Sequence, residues 1–374
     1  MSRILLVGDC HLGLGYPNKH EKWFDVSKEY FENFLIPFVE KNLTEDDIVV
    51  QLGDLFDNRS FVPIDALNYA QEVIERISKV CPIHIIIGNH DLWTRSTSEI
   101  NSVRPFRYMP NVFIYDKPEK IEYNGKSILM MPYVKKKAEQ VKTLKKFTGC
   151  DYLFCHSDLN GAKMHLNSVA HKNKDKIDVD DFGGYKNVYS GHIHILQRNK
   201  NFTFVGSIHE MDRNDINNQK GIFLLDTKSG KEKFIPNNVS PKFKKFYLTS
   251  ESDIDKLDSL NMKDYIDLYI SNSLLINNRK LRRKLELKLE SGKFESVEYL
   301  DDIAIRDEKL TDVEVSDTPE EMPDTEVFTV NSMEYKEVIR DYIINSTYDN
   351  NKIKNGILNI YDEIIRIYKE QYSE

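Results

Sequence analysis

The sequence predicts a layered α/β protein over roughly its first 235 residues, on three observations. Short, nearly continuous apolar runs recur along it, segments of helical periodicity separate them, and several runs end in a cluster of polar residues. Runs this uniformly apolar suit strands covered on both faces.

The first run, Ile4 to Val7, is a buried strand ending at Gly8. Asp25 to Asn42 places apolar residues at helical spacing, Ile48 to Leu52 is a second strand, and Pro63 to Val80 is a second helix whose proline suits a first turn. Both helices are expected as crossovers. Ile83 to Ile87 is a third strand; Val112 to Tyr115, Lys120 to Tyr123 and Ser127 to Met131 follow, the last two joined by the turn dipeptide Asn124-Gly125. Tyr152 to Cys155 and Asn187 to Tyr189 are further buried strands, and Phe202 to Val205 and Gly221 to Asp226 belong to hairpins in the second half of the sheet. In an open α/β sheet the carboxyl ends of such strands meet along one crevice, where ligands bind.

Beyond Pro236-Asn237-Asn238 the composition changes, which divides the chain into residues 1–238, a small lysine- and leucine-rich domain at 239–300, a linker at 301–330 and a helical segment at 331–374. The small domain starts like a strand and carries a helical stretch around Asn278 to Leu289. Asp301 to Glu326 holds eleven acidic residues against only Arg306 and Lys309, as a solvated linker does. Ser332 to Tyr372 reads as two short amphipathic helices, too small to bury much alone and so expected to dock elsewhere.

A net charge of −8 over 374 residues makes most of the surface repel a polyanion, so any nucleic-acid contact must be local. Two basic runs could provide it: Lys135, Lys136, Lys137, Lys142, Lys145 and Lys146, and Arg279, Lys280, Arg282, Arg283, Lys284 and Lys288. Solvated helix faces explain both equally well. The four cysteines show no C-x-x-C pair, which argues against a disulfide framework and a structural zinc site. With no export signal and no apolar run near the ~20 residues of a membrane helix, a cytoplasmic protein without membrane contact is expected.

The strand ends carry the chemistry. Gly8-Asp9-Cys10-His11 points Asp9 and His11 the same way by alternation, with Cys10 turned into the core. The following strand ends deliver Gly53-Asp54-Leu55-Phe56-Asp57, Gly88-Asn89-His90-Asp91, His156 and Gly191-His192-Ile193-His194. Each fragment alone arises often by chance; five in this order, each after a buried strand, are specific. Carboxylates, imidazoles and one amide suit manganese, iron or zinc better than magnesium. Asp9, His11, Asp54, Asn89, His156, His192 and His194 are too many ligands for one ion. Two ions bridged by Asp54 would acidify a shared water and clamp both oxygens of a phosphoryl displacement, leaving His90 for proton work. His84 is expected as a core residue and His20, His165 and His171 without a role, while His209, after a strand, is a minority candidate for the pocket rim.

D-x-H, G-D-x-x-D, G-N-H-D, a lone histidine and G-H-x-H together resemble the calcineurin-like metallophosphoesterases over residues 1–235, and Gly8 to Gly13 with Gly53 to Asp57 resemble their SbcD branch of DNA-repair nucleases. Tyr115-Asp116-Lys117-Pro118, Leu159-Asn160-Gly161, Ser190-Gly191-His192 and Phe234 to Asn238 narrow the likeness to phage-encoded members, acting in a bacterial host. The resemblance implies a β-sandwich flanked by helices, a small α+β cap at 239–300 and C-terminal helices. It implies Asp9, His11, Asp54 and His194 around one ion, Asp54, Asn89, His156 and His192 around the other, and His90 as the catalytic histidine. Some members have a second histidine where Asp57 stands, so Asp57 joins the catalytic set as an orienting group. The implied cofactors are two divalent ions, manganese first and magnesium second. The implied partners are DNA, an SbcC-like coiled-coil ATPase held by the C-terminal helices, and a second copy in a homodimer. A stand-alone phosphatase or cyclic-nucleotide phosphodiesterase is the rival reading, disfavoured by the tethered helix pair; a non-catalytic scaffold is disfavoured by the complete ligand set.

Overall fold

The computed structural model describes residues 2–94, 97–166, 168, 173–261, 263–275, 279–291, 294–300 and 320–321. Apart from residues 320–321, the expected linker at 301–330 and the helical segment at 331–374 lie outside the described residues, as does His171. The described residues belong to one compact unit.

Its strands are β1 (Arg3–Val7), β2 (Ile48–Gln51), β3 (Ile83–Ile86), β4 (Leu92–Thr94), β5 (Thr97–Asn101), β6 (Val112–Tyr115), β7 (Glu119–Tyr123), β8 (Lys126–Met131) and β9 (Tyr152–His156). They continue as β10 (Asn187–Gly191), β11 (Gln197–Asn199), β12 (Phe202–Phe204), β13 (Gly221–Asp226), β14 (Glu232–Pro236), β15 (Phe243–Leu248), β16 (Tyr265–Ser271), β17 (Ser296–Leu300) and β18 (Glu320–Glu321). As the β-sandwich implied by the resemblance requires, there are two large sheets: one ordered β14-β13-β1-β2-β3-β6, the other β18-β11-β12-β10-β9-β8-β7. Strands β1, β2, β3 and β6 run parallel, as do β8, β9, β10 and β12. Uniformly apolar strands say that both faces are covered, not which sheet each joins.

Alternation sorts each strand between layers. Ile4 and Leu6 of β1 and Ile48 and Val50 of β2 meet Ile128, Met130, Tyr152 and Phe154 between the sheets. Leu5, Val7 and Val49 instead face helices α1 (His20–Tyr30), α2 (Ile36–Asn42) and α3 (Ile64–Ser78). On the far side, Leu129, Met131, Leu153 and Cys155 pack against Leu144 of α4 (Lys137–Lys146). The order is thus helix, sheet, sheet, helix.

The first helix starts at His20, not at the expected Asp25, because the polar stretch before Trp23 is partly buried: His20 stacks on Phe24 with ring centroids 5.4 Å apart. A π turn, Phe31–Leu35, separates α1 from α2 just ahead of Pro37, which has no N–H to give an α ladder.

Residues 243–300 form a third, parallel sheet, β15-β16-β17, with α5 (Glu251–Lys256), α6 (Asn272–Leu275) and α7 (Arg279–Ser291). Leu248, Ile254, Leu268, Ile270, Leu281 and Leu285 give it an apolar cluster of its own. It is fastened to the sandwich side by Arg213, which pairs with both carboxylate oxygens of Asp267 at 2.6 and 2.8 Å, and by Lys22 over the Tyr265 ring at 3.7 Å. A third tie is buried: the Phe243 N–H donates to the Glu210 carboxylate at 2.6 Å.

Burial raises the Glu210 carboxyl to about 8, from an ordinary value of 4.5. The folded protein therefore holds a proton there that the unfolded chain releases above pH 4.5. The associated stability is full below about pH 4.5 and is lost as pH rises through 8, a few kcal/mol in order of magnitude. Glu210→Gln keeps an oxygen for Phe243 and cannot ionise, so urea unfolding of the variant should be flatter with pH between 5 and 8.5 than that of wild type. Parallel profiles would refute this.

Candidate metal centre

Four loops at the carboxyl ends of β1, β2, β9 and β10, and the loop after β3, bring the expected residues together across the two sheets. Asp9 is fully buried, and both its carboxylate oxygens accept the His192 N–H, at 3.2 and 2.9 Å. Its Oδ2 lies 3.5 Å from His194 Nε2. His11 Nε2 faces His194 Nε2 at 3.0 Å, while its Nδ1 is 3.0 Å from Asp57 Oδ1. Asp54 is central: Oδ1 accepts the His90 N–H at 2.7 Å, and Oδ2 is 3.2 Å from His156 Nε2 and 3.8 Å from His11 Nε2. Asn89 Oδ1 lies 3.0 Å from the same His156 nitrogen.

Backbone hydrogen bonds hold the loops in register. The Cys10 and His11 N–H groups both donate to the Asp54 carbonyl at 3.0 Å, and the Leu12 N–H to the Leu55 carbonyl at 2.9 Å. Three ligand-bearing residues occupy the left-handed region, His11 at φ 46°, Asp54 at 53° and His192 at 89°. Such strain persists only where the surroundings over-determine it, which is common at functional sites.

Two of the histidines have their orientation fixed from behind. His156 Nδ1 donates to the Leu52 carbonyl at 2.8 Å and Asp57 sits on His11 Nδ1, so each ring keeps Nε2, with its lone pair, for the interior of the site. Asp57 thus occupies the position of an orienting group. His90 Nδ1 donates to the Asp57 carbonyl, and its ring meets His11 edge to face at 4.8 Å.

The electrostatics are those of a site built around positive charge. Burial raises the Asp9 carboxyl to about 6, His156 opposing and Asp54 adding to the shift. At Asp54 burial is outweighed by His156 and His11, which hold it well below the carboxylate range. Burial works against protonating His156, but Asp54 and Asp9 raise it to about 9. Burial, only partly countered by Asp54, lowers His90.

Two groups can each take a cation: Asp9, His11 and His194, and Asp54, His156 and His192, with ligand atoms within 4.8 Å of one another. The donors fit. His11 Nε2 faces His194 Nε2 at 3.0 Å and Asp9 Oδ2 lies 3.5 Å from the same His194 nitrogen, close to the edge expected for ligands about 2.1 Å from one ion at right angles. In a third group, His11, Asp57 and His90, the residues bond one another: Asp57 Oδ1 bonds His11 Nδ1 and the Asp57 carbonyl accepts from His90 Nδ1.

Several contributors were not anticipated. Asp158, two residues after His156 and so on the same face of an extended segment, lies 3.1 Å from His192 Nε2. His192 and Lys176 hold it far below the usual carboxylate range, against the effect of its burial. Asp91 accepts the Gly88 and Phe56 N–H groups at 2.9 and 3.2 Å, tying two ligand loops together. Lys220, buried against Asp215 at 2.6 Å, donates to the His194 carbonyl at 2.8 Å; no local motif signals it.

The remaining histidines sort as follows. His84 bonds the Tyr115 hydroxyl at 2.8 Å, a core residue as expected. His209 is not on the rim: it is buried, stacked on Trp23 and 3.3 Å from the Ser27 hydroxyl. Cys10 points into the core, and all four cysteines are buried and free.

The family model for calcineurin-like phosphoesterases matches residues 2–196. Exonuclease subunit 1 of Enterobacteria phage T4 is 27% identical over 245 residues, covering 64% of this chain and 68% of the relative. Two iridovirus proteins carry phosphoesterase names: 244L of Invertebrate iridescent virus 6, 28% identical over 55% of this chain and 70% of its own length, and 078R of Invertebrate iridescent virus 3, 29% identical over 52% and 53%. The matched span takes in every candidate ligand from Asp9 to His194 and just over half of the residues, and the chain belongs to the calcineurin-like phosphoesterase family.

Proposed function

We propose that the chain is a two-metal DNA phosphodiesterase, the nuclease subunit of an SbcCD-type recombination and repair complex. The observation that carries the two-metal reading is the pair of ligand groups meeting at Asp54, whose Oδ2 lies within 4 Å of both His11 and His156. Asp9, His11, Asp54 and His194 hold one ion; Asp54, Asn89, His156 and His192 hold the other. Two divalent ions, manganese first, supply charge neutralisation and an acidified water when bound.

The chain's own groups do the rest. Asp57 aims His11 through its carboxylate and His90 through its carbonyl. With Nδ1–H committed to that carbonyl, His90 has Nε2 left to exchange a proton with the leaving oxygen. DNA as substrate is supported by the phage relative named as an exonuclease subunit and by free positive charge. On α7, Lys284 and Lys288 are taken up by Asp255 and Asp258, but Arg279, Lys280, Arg282 and Arg283 form no ion pair among the described residues. Residues 239–300 act as a cap that contacts DNA phosphates, and 331–374 hold the ATPase partner.

The test combines manganese, labelled single- and double-stranded DNA, a small phosphodiester, and wild type against His90→Ala. The variant should lose about 10²- to 10⁴-fold in turnover while binding both ions. Full activity of the variant would remove His90 from the chemistry. Cleavage of the small ester without DNA, even with an ATPase partner present, would favour the stand-alone phosphodiesterase.

A further inference from the structure

Beside the metal loops the surface carries an aromatic pair that hydrolysis does not use. Tyr16 and Phe61 are 50% and 43% exposed, and their rings meet edge to face at 4.8 Å. Exposed apolar side chains scattered singly need no explanation, but these two touch and are held in place. Behind Tyr16 lies His20 at 5.8 Å; behind His20, Phe24 at 5.4 Å; behind Phe24, Tyr69 at 5.6 Å. His20 is locked by Asp65 at 2.8 Å, so the ladder runs from the core and ends in two open ring surfaces.

Both rings sit on ligand loops. Tyr16 is five residues beyond His11 and Phe61 four beyond Asp57, a chain reach of at most about 18 and 14 Å. The loops run together: the Asp57 N–H donates to the Leu12 carbonyl at 3.0 Å, and Leu12 forms a bridge with Phe56. The same two loops carry Lys19 and Arg59, neither of which makes an ion pair among the described residues. Rings and unpaired cations carried on the same two loops are the two halves of a single-strand contact, rings for base faces and charges for phosphates. A duplex would hide its base faces.

We infer that Tyr16 and Phe61, flanked by Lys19 and Arg59, form a stacking site for unpaired nucleobases of the strand whose phosphodiester lies in the metal centre. This rests on the nuclease reading and specifies its substrate as a single-stranded or frayed end. Stacking binds substrate and transition state alike, so the site acts on KM rather than kcat.

The test uses the full chain with manganese and three substrates: a mixed-sequence single-stranded oligonucleotide, the same strand with abasic sugars flanking the cleaved bond, and bis(p-nitrophenyl) phosphate. Tyr16→Ala/Phe61→Ala should raise KM for the base-bearing strand by about tenfold or more, leaving kcat and small-ester turnover unchanged. Tyr16→Phe/Phe61→Tyr should restore wild-type KM, and the abasic strand should erase the difference between proteins. Equal KM values for wild type and the alanine variant on the base-bearing strand overturn the stacking site while the nuclease reading stands. So does an equal penalty on the abasic strand. Wild type that cleaves only the small ester, even with an ATPase partner present, overturns the nuclease reading and the stacking site with it.

Discussion

Asp54→Asn is expected to lower hydrolysis of a small phosphodiester by about a thousandfold and to reduce bound manganese below two ions per chain. Asparagine matches the carboxylate in size and keeps one oxygen, which can still accept the His90 N–H. What it loses is the charge, and the second oxygen that faces His156 at 3.2 Å and His11 at 3.8 Å. A neutral amide at that position leaves only Asp9 to offset two dications among the seven proposed ligands. Metal-ion stabilisation of a phosphoryl transition state is worth several kcal/mol, and about 4 kcal/mol is a thousandfold in rate. Equilibrium dialysis with metal analysis, alongside turnover of the small ester, reads both effects without reference to DNA. Two ions bound and turnover within tenfold of wild type would show that Asp54 does not bridge.

Gly53→Ala should destabilise the fold by about 2–5 kcal/mol and displace His156, although the residue is not itself a ligand. Its φ is +96°, a region that costs an L side chain ~1–2 kcal/mol. A Cβ there would lie 2.4 Å from His156 Nδ1 and 2.9 Å from Gly88 Cα, so crowding adds about 1–3 kcal/mol more. Neither neighbour can yield cheaply, because His156 is fully buried and Nδ1 is already bonded to Leu52. Urea denaturation of the metal-free protein measures the cost, and a loss under 1 kcal/mol would mean that the loop relaxes. Metal titration of the folded variant should show the His156-side ion weakened more than the other.

The cluster that forms the candidate metal centre was legible in the sequence because its residues sit directly after strands, where local alternation and chain order carry the information. Asp158 could have been found by the rule that paired Asp9 with His11, since His156-Ser157-Asp158 has the same spacing. It was missed because no glycine or second histidine marks the segment. The assignment of strands to two sheets was not legible: β3 and β9 are equally apolar, and only their pairing, β3 with β2 and β6 and β9 with β8 and β10, separates them. Strand β16 escaped notice for another reason. Tyr265-Ile266-Asp267-Leu268-Tyr269 alternates imperfectly, since Asp267 is buried by its pairing with Arg213, a partner 54 residues away. His20 hid the start of α1 in a related way: besides stacking on Phe24 it bonds Asp65, 45 residues away.

The division of the ligands between two sheets has a consequence for where metal affinity is set. Asp9, Asp54 and Asn89 follow strands of one sheet, His156 and His192 those of the other, and the donors from opposite sides stand about 3 Å apart. One residue step along a strand is about 3.3 Å. A slip of the sheets by a fraction of that step would open or close the gap by more than an ion tolerates. The spacing is gauged by the side chains interleaved between the sheets, Phe154, Tyr189, Met130 and Phe223 among them, none of which is a proposed ligand. Changes in the volume of that interior should therefore retune metal preference from a distance, and variants with altered ion selectivity are best sought there as well as in the pocket.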